Sequence, residues 1–465
     1  MEESLDAETS KKVLSESSAA SAPSAAEAAS TPARNGVEEP VIGLRRLLVA
    51  IVMVAGGAEL AYAIVNVSAM PVYIEANHLG LHLIGIVMTA YLLVEGLLKS
   101  PFGVLGDRIG RKPLILIGPI VSTFTSAITP LVQNPFALVG LRVLDGMGAA
   151  ALWPSAFSLI GDHVPDNKRA SAMSLFNLSY LLGIALGPSI GGNINDWAFH
   201  HFHWVPGHHL SLRHSKDASF YVASILFLIT TMVAMAILPN VRPVHHDEEG
   251  HAVEGGFNIH DFVQMLGRMP AMLLMTFVTF LGIGLVMPYV KVFAMSRFGL
   301  SESMFGNYLM IPALIIALVS VPLGTIGDRI GKPLAVRIGI GLCAAAFWLL
   351  LVFPSIWNLI GMGTLIGVGF VMAFPAWMAL VSEQGDPRQR GAMIGAVGTA
   401  QGIGAIFGAA ASGFLYRMAS PSLGFMTVPH HGLPFVGCAA LLTVSFFLAL
   451  TTIHAPKSRK IHSVT

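Results

Sequence analysis

Apolar runs of about twenty residues follow one another from Leu44 onward, separated by polar segments. Each run is long enough to cross roughly 30 Å of hydrocarbon as a helix. Residues 1–43, by contrast, are rich in Ser, Ala, Glu and Pro and hold almost no large apolar side chains, which is typical of a disordered tail. The pattern predicts twelve membrane helices, numbered here as spans 1 to 12. Their predicted bounds are 46–72, 82–104, 113–133, 136–161, 170–194, 218–238, 271–294, 304–325, 334–354, 357–381, 391–416 and 433–453.

A polar loop after span 2 recurs after span 8. The first copy reads GVLGDRIG and the second GTIGDRIG, with Asp107 and Asp328 221 residues apart. The same spacing relates Gly183 to Gly404 and pairs span 1 with span 7, so the chain is one six-helix unit written twice. Because six is even, both units enter the membrane from one side, as in a parallel repeat. We therefore expect an all-α membrane protein with two six-helix bundles.

The distribution of Lys and Arg predicts the orientation. With the amino terminus in the cytoplasm, most basic residues fall on the cytoplasmic side, together with both GDRIG loops and both termini. The predicted organisation is a disordered cytoplasmic tail, an N-terminal bundle, a polar cytoplasmic linker, a C-terminal bundle and a basic cytoplasmic tail. Their bounds are 1–43, 44–238, 239–270, 271–454 and 455–465.

Composition agrees with a protein that crosses the membrane many times. Hydrophobic residues make up 54% and charged residues 11% of the 465 residues, and the mean hydropathy is +0.69. The sequence holds no phosphate-binding GxxxxGK[ST] loop and no arrangement of nucleophile and base that suggests an enzyme. We expect no cofactor and no nucleic-acid partner.

Three motifs resemble those of one transporter family. The first is the loop Gly103, Asp107, Arg108, Gly110, Arg111 and Lys112. The second is RVLDGMGAA in span 4, in which Arg142, Gly146 and Gly148 match and Asp145 stands where the family often has an amide. The third is GIALGPSIGG at 183–192. From about residue 44 to 454 the chain resembles a major facilitator superfamily transporter, and the third motif resembles that of proton-coupled drug antiporters.

The resemblance implies a cytoplasmic gate at the repeated loops. Asp107 would face the start of span 11 near Arg390, and Asp328 the start of span 5 near Arg169, forming a latch when the cytoplasmic side is closed. A carboxylate suits the positive end of a helix. The alternative is that the basic residues only anchor helices to anionic headgroups. The predicted gate comprises Gly103, Asp107, Arg108, Gly110, Arg111, Lys112, Arg169, Asp328, Arg329 and Arg390.

Small residues in span 5 predict a hinge. Glycines let helix backbones approach and slide, and a proline inside a helix removes one backbone hydrogen bond. The predicted hinge residues are Gly183, Gly187, Pro188, Gly191 and Gly192. The alternative is that glycine and proline are simply common in membrane helices.

Charged residues inside the spans are the strongest functional signal, because ionised groups are costly at the bilayer centre and face a cavity or a partner. The set is Glu59, Glu95, Lys99, Arg142 and Asp145, and all of it lies in the first half. One interpretation is proton coupling, with Glu59 as the better carrier because Lys99 lies one turn from Glu95. The other is a structural network in which Glu95–Lys99 and Arg142–Asp145 hold spans 2 and 4 together.

Histidines are concentrated in the loop that follows span 5. His200, His201, His203, His208 and His209 offer imidazoles that bind transition metals. Because they have no fixed constellation of partners, we expect a solvated loop and no metal site.

The leading hypothesis is a secondary transporter in a bacterial inner membrane, a monomer that exports a small molecule and is driven by protons. Its first alternative is a proton-coupled importer of a nutrient such as a sugar or organic acid. The second is a non-transporting membrane receptor on the same fold.

Overall fold

The computed structural model describes residues 44–164, 166–202, 216–238, 270–353, 355–383, 390–419 and 428–453, and within these ranges the regular structure is helical. Spans 1 to 12 are, in order, Leu44–Ala63 with its continuation Ile64–Ala69 and Met70–Ala76, His82–Ile109, Arg111–Ile128, Pro135–His163, Asp166–Phe202, Ala218–Ile237, Pro270–Val286 with Val290–Phe298, Glu302–Ile330, Lys332–Val352, Ile356–Glu383, Arg390–Arg417 and Leu433–Thr452.

The twelve predicted spans are confirmed. Among the described helices, ten are long and apolar enough to cross a membrane, and the bent pair in span 7 makes an eleventh. Span 11, of 28 residues, completes the set. The predicted tails lie outside the described residues, as does the predicted linker except for Pro270, so the domain bounds stay a prediction.

Helix contacts repeat between the two halves. Span 1 packs on spans 5 and 6, span 4 on spans 2 and 3, and span 3 on span 6. In the second half, span 7 packs on spans 11 and 12, span 10 on spans 8 and 9, and span 9 on span 12. Across the halves, span 5 contacts span 8 and span 2 contacts span 11. Each of these contacts maps onto another when six is added to or subtracted from the span numbers, which is the parallel repeat predicted from the sequence.

Glycine pairs bring spans 3 and 4 into backbone contact, and spans 9 and 10 likewise. A Cβ at Gly118 would lie 2.6 Å from the carbonyl oxygen of Gly148, and one at Gly369 would lie 2.5 Å from that of Gly339. Real Cβ atoms do not approach backbone this closely. Because lipid tails are as apolar as side chains, such packing is what holds membrane helices together.

The two halves meet at the end of the bundle opposite the GDRIG loops. We call this the closed end and the end with the loops the motif end. Gly306 of span 8 lies against the backbone of Pro188 and Ser189 in span 5. At the related crossing, Gly85 of span 2 lies against span 11, where a Cβ would be 3.0 Å from the carbonyl oxygen of Ala409.

Spans 1 and 7 are irregular near the closed end, and both irregularities involve proline. Ile64–Ala69 is π-helical and is followed by Pro71, which has no N–H to donate to the preceding turn. Span 7 bends by 54° between Val286 and Val290, and Pro288 lies in the break. The prediction of one continuous span over 271–294 is therefore wrong at this point.

Gly118→Ala is expected to lower the free energy of unfolding by about 1–3 kcal/mol, because the new methyl group meets backbone that cannot move aside. The measurement is the melting temperature of the purified protein in detergent. Gly140→Ala is the matched control, since a Cβ there would meet nothing within 4 Å. Equal melting temperatures for Gly118→Ala and the native protein would contradict this account of the packing.

Candidate transport site

A cavity of about 480 Å³ lies on the motif side of the closed end, where span 5 faces spans 7 to 10. Its first-half wall is aliphatic and comes from Leu181, Ile184 and Ala185. The second-half wall is rich in aromatic side chains, namely Phe280, Phe347, Phe370, Phe374 and Trp377. Among the described residues, no charged side chain lines it. A cavity of this size and lining suits an organic molecule with little polar surface.

Three polar groups of the wall are bonded within the protein. The Thr276 hydroxyl donates to the Met272 carbonyl oxygen at 2.9 Å, and the Thr279 hydroxyl donates to that of Met275 at 2.8 Å. Cys343 likewise donates to a backbone carbonyl. The wall therefore offers a ligand mainly shape and apolar contact, since these three donors are already satisfied.

Glu59 is buried, with 8% of its surface exposed, and it lies where span 5 packs on span 1. A Cβ at Gly183 would be 2.9 Å from the Glu59 Cβ. Glu95 and Lys99 are the charged groups that act on it electrostatically. These two form an ion pair of 2.8 Å within span 2, with Lys99 47% exposed. The structure thus brings three of the five predicted charged residues into one neighbourhood of the first half.

Arg142 and Asp145 form a separate, fully buried pair in span 4. Arg142 donates to Asp145 at 2.8 Å, and the other carboxylate oxygen accepts from Ser122 at 2.6 Å and from Thr125 at 3.1 Å. Tyr62 of span 1 completes the network through Ser122, at 2.9 Å. Each predicted ion pair therefore lies within one span, and the network joins span 4 to spans 3 and 1. Both ion pairs expected from the sequence are present, and among the described residues no hydrogen bond joins one pair to the other.

The predicted span 5 hinge residues face two different neighbours. Gly183, Gly187 and Gly191 lie against span 1, at Leu60, Ala63 and Ser68. Gly192 faces the other half, at Glu302 and Ser303, and Pro188 meets Gly306 there. The stretch therefore joins span 1, which carries Glu59, to the contact between the halves.

The GDRIG loops turn at their last glycine in both copies. Gly110 and Gly331 have φ of 97° and 90°, which favours glycine. Arg111 folds back to the carbonyl oxygen of Gly103 at 3.3 Å, whereas Lys112 donates to the carbonyl oxygens of Met235 and Leu238 at the end of span 6. Arg108 and Arg329 are exposed. The side chains of Asp107, Arg169, Asp328 and Arg390 lie outside the described ones, so the latch stays a prediction.

Of the five histidines named above, His200 and His201 belong to the last turn of span 5. The other three lie outside the described residues. Within the described residues, no group of three or more His, Cys, Asp or Glu is placed to hold a metal ion.

Sequence reasoning missed a buried ion pair in the second half. Lys291 of span 7 and Glu302 of span 8 lie 2.8 Å apart and are 0% and 1% exposed. The missed signal was a lysine inside the predicted range of span 7, 271–294. Buried charge is therefore present in both halves.

A doubled helical bundle closed at one end over an apolar cavity defines a membrane transport protein. A family model described as Major Facilitator Superfamily matches residues 48–269 and 272–464. The chain belongs to this family, and it is a multi-pass membrane transporter of small molecules, not an enzyme.

Similar proteins include drug-resistance transporters. Multidrug resistance protein 2 of Bacillus subtilis is 23% identical over 359 residues, which are 76% of this chain and 84% of that protein. The multidrug efflux pump LfrA of Mycolicibacterium smegmatis is 37% identical over 119 residues, 25% of this chain and 23% of that pump. The crystal structure of the nucleoside transporter NupG matches with a TM-score of 0.70 and 13% identity, over 87% of this chain and 98% of that one. The last likeness concerns the fold alone.

Asp145→Asn is expected to lower the free energy of unfolding by about 3–5 kcal/mol, because it leaves the buried Arg142 guanidinium without a counter-charge. Lys99→Gln serves as the comparison and is expected to cost less than about 1 kcal/mol, since that pair is partly exposed. Thermal unfolding of both purified variants measures the difference. Equal losses in the two would contradict a special role for the buried network.

Proposed function

We propose that the chain is a proton-coupled exporter of small lipophilic molecules, working as a monomer in a bacterial inner membrane with its motif end in the cytoplasm. The observation that carries the proposal is the apolar cavity beneath the closed end. Its wall selects for apolar surface, offers no charged side chain to an organic acid and offers few polar groups to the hydroxyls of a sugar. Relatives whose names record multidrug resistance or efflux support export, as does the span 5 motif.

The proposed orientation follows the basic residues, which are most frequent at the motif end and in the segments next to it. In this orientation the closed end faces outward, and the cavity lies on the cytoplasmic side of the closure. An exporter in this conformation is ready to take up its substrate from the cytoplasm. The cavity is built within one chain, which supports the monomer as the transporting unit.

Glu59 is the proposed proton carrier. Desolvation disfavours an ionised carboxyl group, and within the described residues no ion pair joins Glu59, whereas Glu95 has Lys99. Gly183 lies directly against Glu59, two residues from Leu181 and one from Ile184 of the cavity wall. A change of charge at Glu59 therefore acts on the packing of spans 1 and 5, which is the proposed coupling between proton and substrate.

Glu59→Gln is expected to abolish proton-driven accumulation in inside-out vesicles while substrate exchange without a gradient continues. The glutamine keeps the shape of the side chain but cannot release a proton. The measurement is uptake of lipophilic cations and dyes, with and without an imposed proton gradient. Glu59→Asp, which keeps a carboxyl group at this position, is the matched control and should retain proton-driven accumulation. Accumulation against a gradient by the Glu59→Gln protein would show that Glu59 is not the carrier.

The same vesicles distinguish export from import. Lipophilic compounds should accumulate in inside-out vesicles that are acidified inside. Accumulation of a sugar or organic acid in right-side-out vesicles, with no effect on lipophilic compounds, would favour the nutrient importer.

Asp107→Asn is expected to reduce the transport rate at least about tenfold with little change in melting temperature, because the charge is needed at a helix terminus only when the cytoplasmic side closes. Transport in vesicles and melting of the purified variant are measured side by side. Near-native transport would refute the latch at this loop.

A further inference from the structure

A buried cluster of charged and polar groups joins the halves at the closed end. Lys291 of span 7 donates to Glu302 at 2.8 Å, and also to the backbone oxygen and hydroxyl of Ser68 in span 1, at 2.8 and 2.9 Å. Asn195 of span 5 donates to Glu302 at 3.0 Å. Lys216, just before span 6, donates to the second carboxylate oxygen of Glu302. Glu302 is therefore bonded from three directions.

The bonds of the cluster divide into two kinds. The Lys291–Glu302 pair lies within the second half, because spans 7 and 8 belong to the same unit. The bonds to Ser68, Asn195 and Lys216 all reach into the first half. Separation of the halves at this end would thus break the cross-half bonds, including the ion pair of the partly exposed Lys216 with Glu302, and leave the Lys291–Glu302 pair intact. Neither Lys291 nor Glu302 would lose its counter-charge, which is the change that makes breaking a buried pair costly.

Two further acidic groups face the cluster. Glu75 of span 1 is exposed and acts on Glu302, Lys216 and Lys291 electrostatically. Asp196 of span 5 accepts from the backbone N–H of Ser303 at 3.2 Å and also acts on Lys291. The two lysines are therefore balanced by carboxylates from spans 1, 5 and 8.

The internal repeat provides a comparison at the second contact between the halves, where span 2 meets span 11. There Tyr289 of span 7 donates its hydroxyl to the Leu81 carbonyl oxygen at 2.8 Å and accepts from the Gly85 N–H at 3.3 Å. The 221-residue spacing maps Tyr289 onto Ser68 and Leu81 onto Glu302. The two crossings are thus equivalent in the repeat, yet one is joined by neutral groups and the other by ions.

We propose that Lys291, Glu302 and Lys216 are the gate residues of the closed end: the cross-half bonds of the cluster hold this end shut, and the transport cycle opens it by releasing them while the Lys291–Glu302 pair stays together. This assignment goes beyond the proposed function. It requires neither a particular substrate nor proton coupling, and its test uses no substrate.

The test follows opening through the reactivity of one introduced cysteine. Val87 of span 2 is 2% exposed and borders a small gap that is also lined by Pro288 of the other half, so the thiol introduced by Val87→Cys becomes reactive when the halves part. Cys343 lines the cavity and is replaced by Ala. The native Cys438, 0% exposed in span 12, remains as the reporter of unfolding. Modification of both thiols by a maleimide is followed by mass spectrometry on protein in lipid nanodiscs.

Lys216→Gln and Ser68→Ala each remove a cross-half bond and leave the Lys291–Glu302 pair in place. Each is combined with Val87→Cys and compared with Glu75→Gln, which removes a nearby charge that makes no hydrogen bond among those described. We expect the thiol introduced at position 87 to react at least about tenfold faster in the first two variants, because one hydrogen bond to a charged group shifts such an equilibrium by roughly that factor or more. Cys438 should stay protected in all three.

Unchanged reactivity at position 87 in both Lys216→Gln and Ser68→Ala would overturn the proposal. A parallel rise at Cys438 would also overturn it, because the cluster would then stabilise the fold as a whole. An equal effect of Glu75→Gln would show that overall charge, and not the cross-half bonds, controls the closed end.

Discussion

The close approach of helix backbones at glycine is the constraint on which the rest of this structure depends. A lipid environment gives helices no hydrophobic reason to associate, so their contacts must come from tight packing and a few polar bonds. Gly118 and Gly339 provide such packing inside the halves, and Gly85 and Gly306 provide it between them. At Gly85 and Gly306 the halves therefore close backbone against backbone, and the polar side chains that join them are arranged around these two points.

The buried charged residues have different roles at different places in the bundle. Arg142 and Asp145 are held within one helix and bonded to its neighbours, which fits a permanent element of the first half. Lys291 and Glu302 also remain within one half, but their other partners lie across the boundary. Glu59 differs from both, because it is buried beside a glycine contact with no ion pair in the described residues. Only such a group is free to change its charge without breaking a pair.

The sequence predicted the helices well, because a membrane span is defined by its own composition. The predicted bounds of spans 6 and 12 differ from the observed ones by one residue. Sequence reasoning failed where contacts between distant residues determine the structure. The apolar run continues through Pro288, so the bend of span 7 was indicated only by the proline itself, which cannot donate a backbone hydrogen bond to the preceding turn. Glu302 lies just before the predicted start of span 8, and its burial depends on residues from the other half. The cavity could not be predicted from the sequence either, because its wall combines side chains from six spans.

Because Lys291 and Glu302 belong to the same half, the membrane potential acts on both charges of the pair together. A single elementary charge moved across the whole potential drop changes the energy by about 2.3 kcal/mol per 100 mV. These two opposite charges, 2.8 Å apart, travel together whenever the second half moves. Their contributions cancel, so this pair adds no net movement of charge, and a gating current at the closed end is left to Lys216, which separates from Glu302 when the halves part.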